Sequence, residues 1–388
     1  MTGCIIGWAH SRFGRLEGQS VEQLIVSVAA DALAHAGLAP GDVDAIYVGQ
    51  LNAGFVRQEF PSSLALQLDP SLRFKPATRV ENACATGSAA IHQGLNVIDA
   101  GRAKRVLVVG VEKMTDVSGA EVGDILIKAA YLAEEGEIEG GFAGVFGQIA
   151  QNYFQRYGDQ SDALARIAAK NHKNGASNPL AHMQKDLGYD FCRQESEKNP
   201  FVAGPLKRTD CSLVSDGAAA VVLSDVDTAL AANQAIVFRA AEQVNDFLPM
   251  SKRDIVAFEG CGEVWRRAFA KARVGLDDLS FVETHDCFTI AELLEYEAMG
   301  LAKPGHGAKV LEEGQTERDG RLPVNPSGGL KSKGHPVGAT GVSMHALASM
   351  QLTGTAGGIQ VPDAELAGIY NMGGAAVANY VSVLERLR

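Results

Sequence analysis

Cysteine and histidine are the side chains here best suited to nucleophilic and proton-transfer chemistry, and three short segments hold them in suggestive settings. The first is Arg79-Val80-Glu81-Asn82-Ala83-Cys84-Ala85-Thr86-Gly87-Ser88. A strand-like approach ends near Ala83, and small helix-forming residues follow, so a helix is predicted from Cys84 to Ala100 with the thiol in its first turn. Unpaired N–H groups and the helix dipole at such a position favour thiolate and lower its pKa. Ala83, Ala85 and Gly87 leave space for a substrate. An inert buried cysteine is the alternative, and Cys84 alone does not separate the two.

The second segment runs from Asn325 through Gly328-Gly329-Leu330-Lys331-Ser332-Lys333-Gly334-His335-Pro336-Val337-Gly338-Ala339-Thr340-Gly341. Gly329 and Gly334 have the spacing of a nucleotide-binding phosphate loop, but His335 stands where its lysine belongs, which excludes that reading. The glycines shape irregular backbone before a helix predicted over 338–352, and Pro336 fixes its entry. His335 is either a base or hydrogen-bond donor held rigidly, or a side chain that satisfies loop carbonyls.

The third segment is Val282-Glu283-Thr284-His285-Asp286-Cys287-Phe288, at the C-terminal end of a predicted strand, where open α/β sheets place their sites. Two residues apart on a strand, His285 and Cys287 would face the same side. Zinc is an alternative for this pair, although the further cysteine pair of a zinc site is missing. A glycine turn, Tyr370-Asn371-Met372-Gly373-Gly374-Ala375-Ala376, could bring a backbone N–H to a ligand oxygen or could be a simple turn. No Gly-x-Ser-x-Gly elbow, His-Glu-x-x-His or complete Gly-x-Gly-x-x-Gly occurs.

These segments need a scaffold, and the hydrophobic pattern supplies one. Short strand-like runs at 45–48, 106–111, 218–223, 281–282 and 375–384 alternate with helical patterns at 20–36, 84–100 and 338–352. That alternation implies α/β layers around a buried sheet. A faint repeat supports duplication. Ala36-Gly37-Leu38 leading to Val48 is echoed by Val274-Gly275-Leu276 leading to Glu283, and Asp216-Gly217-Ala218-Ala219 by Gly373-Gly374-Ala375-Ala376. Residues from about 113 to 207 have no counterpart and are read as an insertion, with helices predicted at 145–157 and 162–173.

At 388 residues the chain is long enough for two or three domains. A net charge of −11 with no basic tract argues against a nucleic-acid partner. No apolar run of about twenty residues is present, so no membrane span is expected, and the N-terminal residues lack the charged leader of a signal peptide. The six cysteines have no paired spacing, which disfavours a disulfide framework and fits a reducing cytoplasm.

Taken together and in this order, the segments resemble the thiolase superfamily, and within it the sterol-carrier-protein-2-type thiolases, often called acetyl-CoA acetyltransferases. Val111-Glu112-Lys113-Met114, Lys170-Asn171-His172-Lys173 and Ser215-Asp216-Gly217-Ala218 belong to the match, which covers nearly the whole chain. The resemblance implies two duplicated βαβαβαββ halves in a five-layered α/β/α/β/α fold with an inserted lid. The division expected is 1–112 and 208–232 for the N-terminal half, 113–207 for the lid and 233–388 for the C-terminal half.

It also implies the chemistry. Cys84 takes the acyl group, and His335 removes its proton. Cys287 exchanges the α-proton. His335 and His285, the latter through a water, stabilise the enolate oxygen, and the amides of Cys84 and Gly373 form the second oxyanion hole. Other thiolases carry their second cysteine in a Cys-x-Gly turn, whereas this chain has Asn371-Met372-Gly373, and in the subtype resembled Cys287 fills that role. Coenzyme A thioesters are the implied substrates, with no permanently bound cofactor and no metal. Lys207, Arg208, Lys331 and Lys333 are the weak candidates for cofactor phosphates, each otherwise a solvated surface charge. A homodimer or dimer of dimers is expected, with the strand 79–83 near its seam. The competing readings are a decarboxylating condensing enzyme using Cys84, His335 and His285 alone, a retro-aldolase, and a catalytically silent binding subunit on the same fold.

Overall fold

The computed structural model describes residues 3–388, so Met1 and Thr2 lie outside the described residues. The described residues form eleven strands: β1 (Cys4–His10), β2 (Ala45–Gly49), β3 (Ala77–Val80), β4 (Arg105–Glu112), β5 (Phe201–Ala203), β6 (Leu206–Lys207), β7 (Gly217–Ser224), β8 (Ile236–Asn245), β9 (Phe281–Glu283), β10 (Leu366–Gly373) and β11 (Ala378–Arg386). The helices that matter for the site are α1 (Val21–Ala36), α2 (Thr86–Asp99), α3 (Gly119–Leu126), α4 (Gly141–Tyr157), α5 (Ser161–Ala176), α6 (Glu259–Ala272), α7 (Thr289–Ala298) and α8 (Thr340–Leu352).

Nine strands form one sheet in the order β3-β2-β4-β7-β1-β8-β11-β10-β9, and β5 and β6 form a separate hairpin. The large sheet repeats itself about the β1–β8 junction. In the first part β3 and β4 flank β2 in parallel, then β7 and β1 follow antiparallel. In the second part Val324 and β10 flank β9 in parallel, then β11 and β8 follow antiparallel. Cys4 pairs with Val237 and Ile5 with Ile236 where the two parts join, and the Phe238 amide donates to the Gly3 carbonyl (3.2 Å) beside them.

Burial sorts these elements into five layers. The apolar face of α1 covers the outer side of β1, β2, β4 and β7. Ser20 caps this helix through the Gln23 amide, and Gln23 returns a bond to the Ser20 amide. Between the two parts of the sheet lie α2 and α8, buried among β4, β7 and β10. Their sequences suit an interior position: α8 is buried at nearly every residue, and all eight residues of β7, Gly-Ala-Ala-Ala-Val-Val-Leu-Ser, are buried as in a strand covered on both faces. On the far side α6 and α7 close the second part.

Two glycines let the central helices touch. A β-carbon on Gly87 would lie 2.6 Å from the Val342 nitrogen, and one on Gly341 would lie 2.2 Å from the Ser88 nitrogen. Both are the second residue of their helix, so the helix starts meet backbone to backbone.

Two expected element limits change. The run 375–384 is not one strand: β10 ends at Gly373, a turn follows with positive φ at Gly374 (63°) and Ala376 (55°), and β11 begins at Ala378. The turn falls at the glycines where it was expected, but apolar composition concealed that it runs on through Ala375 and Ala376, because alanine is as hydrophobic there as in a strand. The helix expected from Cys84 begins only at Thr86, with Ala85 as its cap residue. No helix among the described residues is long and apolar enough to cross a membrane.

Candidate active site

Cys84 sits in a tight turn between β3 and α2. Ala83 is held at φ 49°, an unfavourable region for a residue with a β-carbon. The surrounding bonds over-determine it: Asn82 N–H donates to Thr86 Oγ1 (2.8 Å), Thr86 Oγ1 donates to the Ala83 carbonyl (2.6 Å), and Asn82 Nδ2 donates to Tyr380 Oη (2.8 Å). The turn pushes the thiol away from the chain and into a cavity of about 310 Å³.

His335 and Cys287 line the same cavity. A ring nitrogen of His285, one of His335 and the Cys84 sulfur lie within 4.8 Å of one another. The imidazoles meet edge to face, with centroids 5.1 Å apart and planes at 85°. The four side chains proposed from separate segments are therefore brought together. His285 and Cys287 are not on a strand, since β9 ends at Glu283, and Cys287 N–H instead bonds back to the His285 carbonyl (2.9 Å) in a tight loop. The zinc reasoning from strand spacing loses its basis there.

Thr340 fixes the proton on His335. Its hydroxyl donates to the Pro336 carbonyl (3.1 Å), so its oxygen accepts from Nδ1–H of His335 (2.7 Å). Nε2 is then a free lone pair, buried and bonded to no other protein group among the described residues. Burial, with Lys333 nearby, lowers the His335 pKa to about 3, and burial likewise holds His285 well below its usual value, with His335 and Lys333 adding to the effect. Both rings are neutral at pH 7.

The thiol itself behaves differently from the expectation. Burial raises the Cys84 pKa to about 12, with the Glu112 and Glu81 carboxylates adding to the rise, while its own amide and that of Gly374 pull it down. Cys84 therefore rests as a thiol. Two residues before the helix, and with carboxylates nearby, it gains too little from the helix dipole to offset desolvation. Besides its own, the amide beside the sulfur is that of Gly374, one residue beyond Gly373, where a β-carbon would lie 2.5 Å from the Asn82 carbonyl.

Iodoacetamide at pH 7 is accordingly expected to label Cys84 slowly, with a rate that climbs about tenfold per pH unit toward its pKa. Cys4, Cys192 and Cys261 are fully buried and should stay unlabelled, whereas Cys211, which also lines the cavity, competes. Peptide mapping across pH reads this, and fast labelling of Cys84 independent of pH would contradict the resting thiol.

Behind the site lies a scaffold of buried polar bonds that explains the remaining sequence blocks. Glu112 accepts from the amides of Leu51 (2.9 Å), Asn52 (3.0 Å) and Gly338 (3.1 Å), tying the end of β4 to the His335 loop. Asp216 accepts from Lys113 Nζ (2.8 Å) and from the Met114 (2.7 Å) and Thr115 (2.9 Å) amides. Asp286 accepts from the Leu330 (2.6 Å) and Lys331 (3.1 Å) amides and from Asn171 Nδ2 (2.7 Å), so the Cys287 loop and the His335 loop share one carboxylate. Lys170 pairs with Glu292 at 2.9 Å, both fully buried.

Three of the four candidate phosphate ligands are not surface charges. Lys331 Nζ donates to the Cys211 carbonyl, Lys333 Nζ to Ser343 Oγ (3.0 Å), and Lys207 lies 3.5 Å from Asp210, all with side chains turned inward. Lysine is ordinarily solvated, but the loop that holds Lys331 and Lys333 is packed under α5. Arg208 alone of the four is exposed. Sequence reasoning gave neither Cys211 nor Thr340 a role and did not identify the apolar walls: Val122, Leu126, Phe142 and Val202 come from the insertion.

Residues 4–227 match the thiolase N-terminal domain family and residues 241–386 the thiolase C-terminal domain-like family. An acetyl-CoA acetyltransferase of Methanothermobacter thermautotrophicus is 36% identical over 387 residues, covering 98% of this chain and 99% of its own. Human sterol carrier protein 2 is 35% identical over 318 residues, covering 78% of this chain and 57% of its own. Among solved structures, an Ltp2–ChsH2(DUF35) aldolase superposes with a TM-score of 0.84 at 21% identity, covering 100% of this chain and 98% of that one. The chain belongs to the thiolase family. By that membership it is an acyltransferase with the thiolase fold.

Proposed function

We propose that the protein catalyses reversible thiolysis and Claisen condensation of 3-ketoacyl-CoA through an acyl-Cys84 intermediate. One observation carries the reading: Cys84, Cys287 and His335 open into one cavity, with His285 against the first and last of them. In thiolysis, His335 Nε2 takes the Cys84 proton as the sulfur attacks the 3-keto carbonyl. The amide of Cys84 and an amide of the 373–374 turn shelter that oxyanion. The bond between the α-carbon and the keto carbon then breaks, the two imidazoles hold the enolate oxygen, and the Cys287 thiol gives the α-carbon its proton. Coenzyme A next passes its thiol proton to Cys287 and attacks the acyl group, and the departing Cys84 sulfur recovers its proton from His335.

Protonation states favour this assignment. Burial raises the Cys287 pKa well above its usual value, with Cys84 and Glu295 contributing, so it enters as the acid the enolate needs. A decarboxylating enzyme would have no use for that thiol beside the nucleophile. Residues from 113–207 line one side of the cavity, and we assign the segment as the lid between 1–112 and 208–232 on one side and 233–388 on the other. Coenzyme A thioesters are the substrates, with Arg208 the exposed cation left for their phosphates, and no cofactor is retained. Six free thiols suit a reducing cytoplasm.

The test is turnover. Acetoacetyl-CoA with free coenzyme A should yield acetyl-CoA, and acetyl-CoA alone should place a mass adduct on the Cys84 peptide. Condensation of malonyl-CoA without thiolysis of acetoacetyl-CoA would replace this reading with the decarboxylating one. Assembly is proposed as a homodimer or dimer of dimers along the outer strand β3. Light scattering should exceed the 40.9 kDa of one chain, and a monomer at micromolar concentration would reject the assembly.

A further inference from the structure

Asn371 lies in β10, fully buried, and belongs to no step above. Its Nδ2 is 3.1 Å from the Cys84 carbonyl oxygen and 2.8 Å from His285 Nδ1. A carbonyl oxygen can only accept, so the nitrogen end of the amide must face it, and this settles the amide's orientation without reference to the histidine. The same NH₂ group then presents its second hydrogen to His285 Nδ1. A neutral imidazole carries one N–H, and a nitrogen facing a donor must hold the lone pair. The hydrogen is left on Nε2, which is buried and bonded to no protein group among the described residues.

We propose that Asn371 is a positioning residue that locks His285 in the Nε2–H form, making it a hydrogen-bond donor to substrate oxygen and preventing the Cys84–His285–His335 trio from serving as a metal site. The two histidines thereby carry opposite tautomers. Thr340 leaves His335 with a lone pair on Nε2 and Asn371 leaves His285 with a hydrogen on its Nε2, both without a protein partner among the described residues, so one is the base and the other the donor. A metal on the trio would need the lone pair of His285 Nε2, and Nδ1–H would then face the Asn371 NH₂, donor against donor. The donor role rests on the thiolase reading; the tautomer rests only on the hydrogen bonds.

Asn371→Asp inverts the arrangement. A carboxylate accepts from Nδ1–H, frees Nε2 as a ligand, and creates the carboxylate–histidine pair that strengthens metal sites by about 10- to 100-fold. The measurement is long-range ¹H–¹⁵N correlation on enzyme with labelled histidine rings, with His285→Asn identifying the resonances. The wild type should show Nε2–H and Asn371→Asp should show Nδ1–H or the doubly protonated ring. Zinc titration should show affinity rising by about tenfold or more in the variant, and thiolysis kcat should fall about a hundredfold with loss of the donor. Nδ1–H in the wild type overturns the proposal, as does a variant with unchanged tautomer and zinc affinity. If the variant does not fold, the wild-type spectrum decides alone. An enzyme with the Nε2–H form but no thiolysis would remove the thiolase reading and leave the tautomer assignment in place.

Discussion

Cys84→Ala is expected to remove acyl transfer almost entirely, lowering kcat for thiolysis by about 10⁴-fold or more, as for other covalent nucleophiles. The loss has two parts. No other side chain is lifted into the cavity on a strained turn, and the neutral His335 Nε2 has no other thiol assigned to it. Mass spectrometry after incubation with acetyl-CoA should find no adduct on the variant. An adduct that persists at Cys211 or Cys287, both of which line the cavity, would mean that the nucleophile has been misassigned. Folding should be unaffected, because the sulfur's contacts are to the cavity rather than to the sheet.

Cys287→Ala should separate the half-reactions. Acyl-Cys84 still forms from acetyl-CoA, since Cys84 and His335 are intact, and the adduct accumulates. Thiolysis of acetoacetyl-CoA and condensation of acetyl-CoA both fall by roughly a hundredfold or more, the cost of a general acid–base. The pH profile adds a second readout. The two thiols are protonated and the two imidazoles neutral at pH 7, so a titration near neutrality would report the carboxylates behind them: burial raises Glu112 to about 7 and also lifts Asp286, with Glu292 adding to the rise. A thiolysis rate for the variant near that of the wild type would sink the mechanism.

Of the residues proposed for the chemistry, His335 was readable because Gly334 and Pro336 flank it, Cys84 because small residues surround it ahead of a helix, and His285 and Cys287 because they follow a predicted strand. The duplicated sheet was readable for a similar reason: the paired Gly-Leu and Gly-Ala blocks mark equivalent corners of its two parts. What escaped was whatever depends on burial. Lys331 and Lys333 look like surface charges until α5 is packed over them, and Cys84 looks like a thiolate until desolvation and Glu112 are counted. The glycine turn between β10 and β11 was legible, but its continuation through Ala375 to Val377 was not, because positive φ at Ala376 leaves no mark on composition. Asn371 was visible only as a missing cysteine. Its partner atoms come from residues 287 and 86 positions away in sequence, and no local pattern joins them.

The meeting of Gly87 with Gly341 has one more consequence. The proposed nucleophile, Cys84, stands just before one helix and the proposed base, His335, just before the other, and the helices are halted by main chain striking main chain. The gap between sulfur and imidazole is thus gauged by a mechanical stop, which neither salt nor pH can loosen. The two copies of the duplicated unit are calibrated against each other, and a larger residue at either stop would put the catalytic pair out of alignment without touching it.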